Sequence, residues 1–264
     1  MARPTPVEAA LLRSICATPA DDLPRLVYAD WLEENGRSER AEFIRLQIGL
    51  SEYWPLSAHK KRADRIEELF NAHKLSWLQE IPKWARYRSY SHITSANYSR
   101  GFIRDLCINT SPFLQFGWQV LDRIPLQTIS FVNAEKMLPQ LAKCPWLGRL
   151  PALDFSYMCL KNDTVAALAG SPFLRTVNEI NLRCSDVTDR GATALANSRF
   201  LRSLKVLNLG LNNISIGAVK VMAHSPNLQN LEQLDLTRNR QLRGHEYRIE
   251  DWFGKRVLIH DEVE

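Results

Sequence analysis

The sequence predicts an α/β chain in which about six short parallel strands with helical returns build a solenoid, capped by an N-terminal α-helical domain. Three observations carry that reading. Leu153-Asp-Phe155, Ile180-Asn-Leu182, Leu207-Asn-Leu209 and Leu234-Asp-Leu236 recur at an offset of 27 residues. At the same offset stand Cys144-Pro-Trp-Leu147, Ser171-Pro-Phe-Leu174, Ser198-Arg-Phe-Leu201 and Ser225-Pro-Asn-Leu228, and also Leu168-Ala169, Leu195-Ala196 and Met222-Ala223. Residues 1–80 hold no such step and read as helices. A fixed period of this length marks architectures in which each unit buries its apolar face only against its neighbours.

The helical cap is read as residues 1–80. Thr5-Pro6-Val7-Glu8 is a capping box with proline at the first helical position, and the helix it starts runs to about Cys16. Asp21 or Asp22 starts a second helix with Leu23, Leu26, Val27 and Trp31 on one face, ended by Asn35-Gly36. Ser38 starts a third through Ala41, Ile44 and Ile48. Ser57 starts a fourth with Ile66, Phe70 and Trp77 turned inward, stopped before Pro82. Asp30, Glu33 and Glu34 face Arg37, Arg40 and Arg45 across the turn at Gly36; such surface pairs contribute about 0–1 kcal/mol each. Trp31 is expected in the core.

A junction spans 81–104, the solenoid 105–240 and a C-terminal cap 241–264. Within one unit the pattern is Leu204-x-x-Leu207-x-Leu209-x-x-Asn212-x-Ile214, then Val219-x-x-Met222-Ala223. The L-x-L step has period two and reads as a short strand with its leucines in the core. Asparagine at the strand end bonds backbone groups where the chain turns, and residues 189–197 carry helical spacing. Towards the N-terminus the pattern decays. Ile129-Ser-Phe131 lies 24 residues before Leu153 and Leu106-Cys-Ile108 lies 23 before Ile129, so these read as degenerate units. Ser185 and Met158 stand where later units have asparagine.

This pattern resembles the leucine-rich repeat, and its length with Val187-x-Asp189-x-Gly191-Ala192-x-x-Leu195 is similar to the ribonuclease-inhibitor-like subclass. Arg25-Leu-Val-Tyr-Ala-Asp-Trp-Leu-Glu-Glu-Asn-Gly36, followed by Arg40-Ala-Glu-Phe-Ile-Arg-Leu-Gln47, resembles the repeat-companion domain found beside leucine-rich repeats in planctomycete-type bacterial proteins. The likeness covers roughly residues 8–50. Trp77-Leu78, Arg100-Gly-Phe102 and the closing Trp252-Phe-Gly-Lys-Arg-Val257 resemble further markers of the same proteins. The resemblance implies architecture; it implies no catalytic activity and no established ligand.

Composition bounds the rest. With 264 residues, 45% hydrophobic and 24% charged, the chain is ordinary globular material, which excludes disordered and collagen-like classes. No apolar run approaches 18 residues, and Met1-Ala2-Arg3-Pro4-Thr5-Pro6 leads into Glu8, Arg13 and Asp21 without the apolar core of a secretory leader. A cytoplasmic place, with no membrane contact, is the expectation. Five cysteines, an odd number without a C-x-x-C pair, point to reduced thiols rather than disulfides or a zinc site. A net charge of +5 is too dispersed to imply nucleic acid by itself.

No nucleotide-loop, nucleophile-elbow, zincin or dinucleotide motif is present. His59, His73, His92, His224, His245 and His260 are scattered, none at i, i+4 from another, so no metal, cofactor or catalytic residue is expected. Cys107 and Cys184 lie on or beside predicted strands and read as small turn-lining residues; a nucleophile needs a lowered pKa and a nearby base. Two basic stretches stand out. Lys83-Trp84-Ala-Arg86-Tyr87-Arg88-Ser-Tyr90 interleaves cations with aromatics, a composition suited to base stacking and phosphate contact, although Trp84 and Tyr87 also suit sealing a junction. Arg238, Arg240, Arg243 and Arg248 form the second, read as solvated loop.

The functional surface expected from a solenoid is its concave strand face. Residues flanking the inward leucines alternate to that face: Asp105, Cys107 and Asn109; Thr128, Ser130 and Val132; Ala152, Asp154 and Ser156; Glu179, Asn181 and Arg183; Val206, Asn208 and Gly210; Gln233, Asp235 and Thr237. At about 4.8 Å per strand the six span on the order of 25–30 Å, room for one helix or loop of a partner. The expected binding residues are Asp154, Glu179, Asn181, Arg183, Asn208 and Asp235, polar where packing sets no demand for polarity. The expected role is a non-enzymatic protein-interaction module, a scaffold or accessory subunit of a bacterial complex. The alternative is nucleic-acid or partner contact through Lys83, Trp84, Arg86, Tyr87 and Arg88. A polar strip that only keeps the face soluble is the competing reading.

Overall fold

Four helices and an antiparallel strand pair make up most of the N-terminal part: α1 (Pro6–Ala17), α2 (Leu23–Glu34), α3 (Ser38–Ile48), α4 (Leu56–Trp77), β1 (Tyr98–Ser99) and β2 (Phe102–Ile103). The structure is a computed structural model and describes residues 4–49, 56–86, 93–94 and 97–260. It divides into two units, Met1–Cys107 with Phe116–Gln127 and Ile108–Gln115 with Thr128–Glu264.

In the first unit Pro6 opens α1, and Thr5 Oγ1 accepts the Glu8 amide at 3.2 Å. The return half of the capping box is not made. The Glu8 carboxylate instead accepts from the Tyr28 hydroxyl at 3.1 Å and pairs with Arg37 at 2.8 Å. Burial, and then the charges of Glu80 and Glu8, push the Tyr28 phenol above its ordinary range. Asp22 holds the N-cap of α2 without a side-chain bond, and the residue before it, Asp21, accepts the Leu23 amide at 3.0 Å. The inward face of α2 departs from the expected one: Leu23 and Val27 are 64% and 46% exposed, and Tyr28, Ala29 and Leu32 face the core. Counting aliphatic residues misses that stripe, because it is built from a tyrosine, an alanine and the stem of buried Arg25, whose head reaches the Asp21 carbonyl at 2.7 Å. Trp31 is only half-buried, stacked on Tyr28 with the Arg37 guanidinium 4.9 Å from its ring centre.

Ile66, Phe70 and Trp77 of α4 do turn inward, the rings of Phe70 and Trp77 meeting Phe43 of α3. Of the three arginines expected to pair across the Gly36 turn, only Arg45 does so, with Asp30 at 2.6 Å and Glu33 at 2.7 Å. Arg40 goes inward. It is 4% exposed, its guanidinium carbon 4.8 Å from the centre of the Trp77 ring and 5.5–5.8 Å from those of Phe102, Phe43 and Tyr98. Glu80 meets it at 3.0 Å, while its Nε and Nη1 have no hydrogen-bond partner among the described residues. Gly101 connects β1 to β2 at φ +84°, and a Cβ there would lie 2.8 Å from the Ile44 Cα, so this turn accepts only glycine.

The second unit is the solenoid. Its elements are β3 (Asp105–Asn109) and α5 (Thr110–Leu121), in both of which a boundary falls, and then β4 (Thr128–Val132), α6 (Leu138–Leu141), β5 (Ala152–Asp154), α7 (Asn162–Ala169), β6 (Glu179–Asn181), α8 (Asp189–Ala196), β7 (Val206–Asn208), α9 (Ile216–Ala223), β8 (Gln233–Asp235), α10 (Glu246–Phe253) and β9 (Val257–Leu258). The strands lie in chain order in one sheet of seven, one more than expected, because the closing segment adds β9 beside β8. Leu153, Ile180, Leu207 and Leu234 are in register on neighbouring parallel strands and fully buried. In the degenerate units phenylalanine fills the core instead, with Phe113, Phe131 and Phe155 in ring contact at 5.1 and 5.3 Å.

Polar ladders tie each unit to the next. Ser198 and Ser225 are buried, accept the amide two residues on, and donate to the last alanine carbonyl of the previous repeat's helix, Ala169 of α7 and Ala196 of α8. Residues Asn133, Tyr157, Cys184, Leu211 and Arg238 occupy one position in successive turns, all left-handed with φ between 53° and 59°. The amides of Tyr157, Cys184 and Leu211 each donate to the carbonyl of the following unit, at 2.8–2.9 Å. The expected asparagine role is realised at Asn212. Its amide donates to the carbonyls of Leu182, Leu209 and Gly210 at 2.8–3.1 Å, and its oxygen accepts from Ser185 and Val187 at 3.1 and 2.9 Å. Ser185 substitutes through its hydroxyl, bonded to the Phe155 carbonyl at 2.8 Å. Replacing Asn212 with alanine should cost about 3 kcal/mol, since each orphaned buried group costs about 1–3 kcal/mol and water recovers part of it. Urea unfolding measures this; a loss below about 1 kcal/mol would show that the ladder does not hold the turn.

Candidate functional site

Asp154, Asn181, Asn208 and Asp235 are paired across β5 to β8, so the structure brings four of the expected binding residues into one row. Each side chain has a structural task. The oxygen of each accepts the amide two residues further on, from Ser156, Arg183, Gly210 and Thr237 at 2.9–3.0 Å. That is an Asx turn repeated four times. The expectation that packing sets no demand for polarity here is corrected: the turn at the strand end needs an acceptor of this length. Asp154 also accepts from Ser130 at 2.8 Å.

Arg183 is half-buried and extends along the sheet over Gly210 to Asp235 at 3.4 Å and Thr237 at 3.3 Å. A Cβ at position 210 would lie 2.5 Å from the arginine nitrogen, so glycine keeps that path open. The strip thus neutralises part of its own charge. What it presents outward is the row at the strand starts, where Glu179 and Gln233 are exposed on either side of half-buried Val206. Gln233 was not among the expected binding residues. Its register with Glu179 through residue 206 was the signal for it.

At the junction Lys83 is exposed. Trp84 donates to Gln119 at 3.1 Å and packs against Phe116, and Arg86 donates to the carbonyls of Ile81 and Gln79 at 2.9 and 3.2 Å. Tyr87 and Arg88 lie outside the described residues.

The second basic stretch is not simply solvated loop. Arg238, Arg240 and Arg243 line a cavity of about 360 Å³ with Leu211, Asn239, Leu242, Glu246, Ile259 and His260. A neighbouring cavity of about 480 Å³ shares Arg238, Ile259 and His260 and opens onto Arg183, Asp235 and Thr237. Arg248 lies elsewhere, over the Trp252 ring at 5.2 Å.

Two of the thiols, Cys144 and Cys159, are shifted away from the thiolate. Hydrogen bonding to Asp186 and its charge push Cys159 up, and burial pushes Cys144 up. Among the described residues no three His, Cys, Asp or Glu side chains cluster as metal ligands, and no helix is long and apolar enough to cross a membrane.

Strands in unbroken sequential order, a 27-residue step and asparagine-held turns define a repeat solenoid. A Leucine Rich repeat family model matches residues 173–196 and 200–220. Over those residues the chain therefore carries leucine-rich repeats. Among solved structures it is similar to "Leiomodin-1 Actin-Binding Site 2 (ABS2)", at 18% identity and a TM-score of 0.41 over 50% of this chain and 82% of that one. No curated protein matches the sequence.

Proposed function

We propose that this chain is a protein-interaction module that docks a partner protein on the strand face of its solenoid, acting as a scaffold or accessory subunit of a bacterial complex in the cytoplasm. The N-terminal helices are read as a repeat-companion domain and the repeats as the ribonuclease-inhibitor-like kind. One observation carries the reading. Glu179 and Gln233 stand exposed at equivalent places on a sheet whose turns are held by side-chain bonds, a preorganised surface that loses little entropy on binding. The expected contacts are Glu179 at the centre, with Asp154, Asn181, Arg183, Asn208 and Asp235 fixing the face around it.

Glu179→Ala with Gln233→Ala should change stability by no more than about 1 kcal/mol, as for exposed side chains and their surface pairs, and weaken partner binding by more than about 1.4 kcal/mol, a tenfold change. Arg183 is unsuited to that test, because removing it also breaks its bonds to Asp235 and Thr237. Affinity capture from the native host, comparing wild type and double variant, reads the outcome. Equal recovery of the same partner by both would overturn the assignment of this face. The nucleic-acid reading rests on Lys83 and on Tyr87 and Arg88, since Trp84 and Arg86 direct their polar atoms to the protein.

A further inference from the structure

Two adjoining cavities close the C-terminal end of the strand face, and their lining differs in kind from the rest of it. Around the smaller stand Arg238, Arg240 and Arg243 against one acid, Glu246. Arg240 and Arg243 make no side-chain hydrogen bond or ion pair among the described residues. Glu246 accepts the Gly244 amide at 3.0 Å, which occupies one of its oxygens. His260 is held by Glu250 at 2.7 Å. The floor is apolar, formed by buried Leu242 and Ile259.

We propose that this arginine-rimmed cavity binds an acidic peptide segment of a protein partner, with carboxylates on Arg240 and Arg243 and an apolar side chain against Leu242 and Ile259. Three points select that ligand. A guanidinium offers paired N–H donors in the geometry a carboxylate accepts. An apolar floor beneath charged walls suits a segment that alternates acidic and aliphatic residues, and volumes of about 360 and 480 Å³ fall in the range of ordinary ligand sites. Neither cavity is lined by a phenylalanine, tyrosine or tryptophan, and the one ring present, that of His260, is held by Glu250, so the lining favours a carboxylate ligand over a stacked base. The larger cavity leads onto Arg183, Asp235 and Thr237, giving the peptide a continuous path onto the strand face. The inference rests on the protein-interaction reading and specifies the chemistry of the partner at one end of that surface.

The test uses the full chain and a fluorescein-labelled Glu-Glu-Leu-Leu-Glu-Glu peptide, read by anisotropy. Saturable binding is expected, weakened at least tenfold by Arg240→Ser with Arg243→Ser at unchanged melting temperature. Arg190→Ser with Arg202→Ser, two exposed arginines in α8 and in the turn that follows it, should bind as wild type does. Equal loss in both double variants would reduce the effect to net charge and overturn the proposal. So would displacement of the peptide by millimolar inorganic phosphate, or tighter binding of a labelled oligothymidine. If a host partner is lost through Glu179→Ala and Gln233→Ala while the acidic peptide never binds, the strand-face reading stands and this one falls.

Discussion

Leu207→Asp should abolish cooperative folding of the solenoid. Leu207 is fully buried at the middle of β7, flanked in register by Ile180 and Leu234. A carboxylate there has no cation or donor to meet, and burying it unpaired costs several kcal/mol beyond the loss of the leucine contacts. A total of more than about 5 kcal/mol is comparable with the whole stability of a typical domain. Because each repeat is stabilised by its neighbours, the damage spreads along the stack. Circular dichroism through a thermal ramp reads the result, with Leu207→Met as the volume-conserving control, expected to cost less than about 1.5 kcal/mol. A wild-type melting transition in the aspartate variant would remove Leu207 from the core.

Arg40→Ala should destabilise the helical unit by about 2–4 kcal/mol, through the cavity it leaves and the loss of its contacts with four aromatic rings. Arg40→Met separates the two causes. Methionine fills much of the same space without the unsatisfied Nε and Nη1, and replacing a buried charge by a packed apolar side chain is often neutral or stabilising by about 1–4 kcal/mol. Glu80 is partly exposed, so Glu80→Gln should change stability by no more than about 1 kcal/mol. Urea melts of the three variants decide it. If the methionine variant is as damaged as the alanine variant, the cation over the rings carries the stability rather than the volume.

The solenoid was legible in the sequence because its information is repeated: Leu153, Ile180, Leu207 and Leu234 state one constraint four times, and the paired strands obey it. β9 was not legible. Val257 and Leu258 form a strand only because β8 offers them an edge, and two residues have no period of their own. The stripe of α2 was misread for a related reason, since a buried arginine stem and a tyrosine do not register as apolar. The row of Asp154, Asn181, Asn208 and Asp235 was found by position, yet its turn-holding work depends on backbone angles that spacing does not encode. The arginine cavity was missed because its walls come from distant parts of the chain. Leu211 belongs to the preceding repeat and Ile259 to the closing segment, and nothing in the run from Arg238 to Arg243 announces either.

The left-handed residue in every repeat turn has a bearing on how this molecule changes over time. In three of those turns the strained backbone is held by an amide bond to the next unit, a bond open to every side chain without a branch at Cβ that tolerates the left-handed backbone. Asparagine, tyrosine, cysteine, leucine and arginine occupy the five places, chemistries with nothing else in common. Such a position is a socket with interchangeable heads, set about one strand spacing, near 4.8 Å, from the next. Point mutation can exchange a head without rebuilding the rack beneath it, so descendants of this chain can acquire new surface chemistry along that edge one rung at a time while the stacked leucines stay as they are.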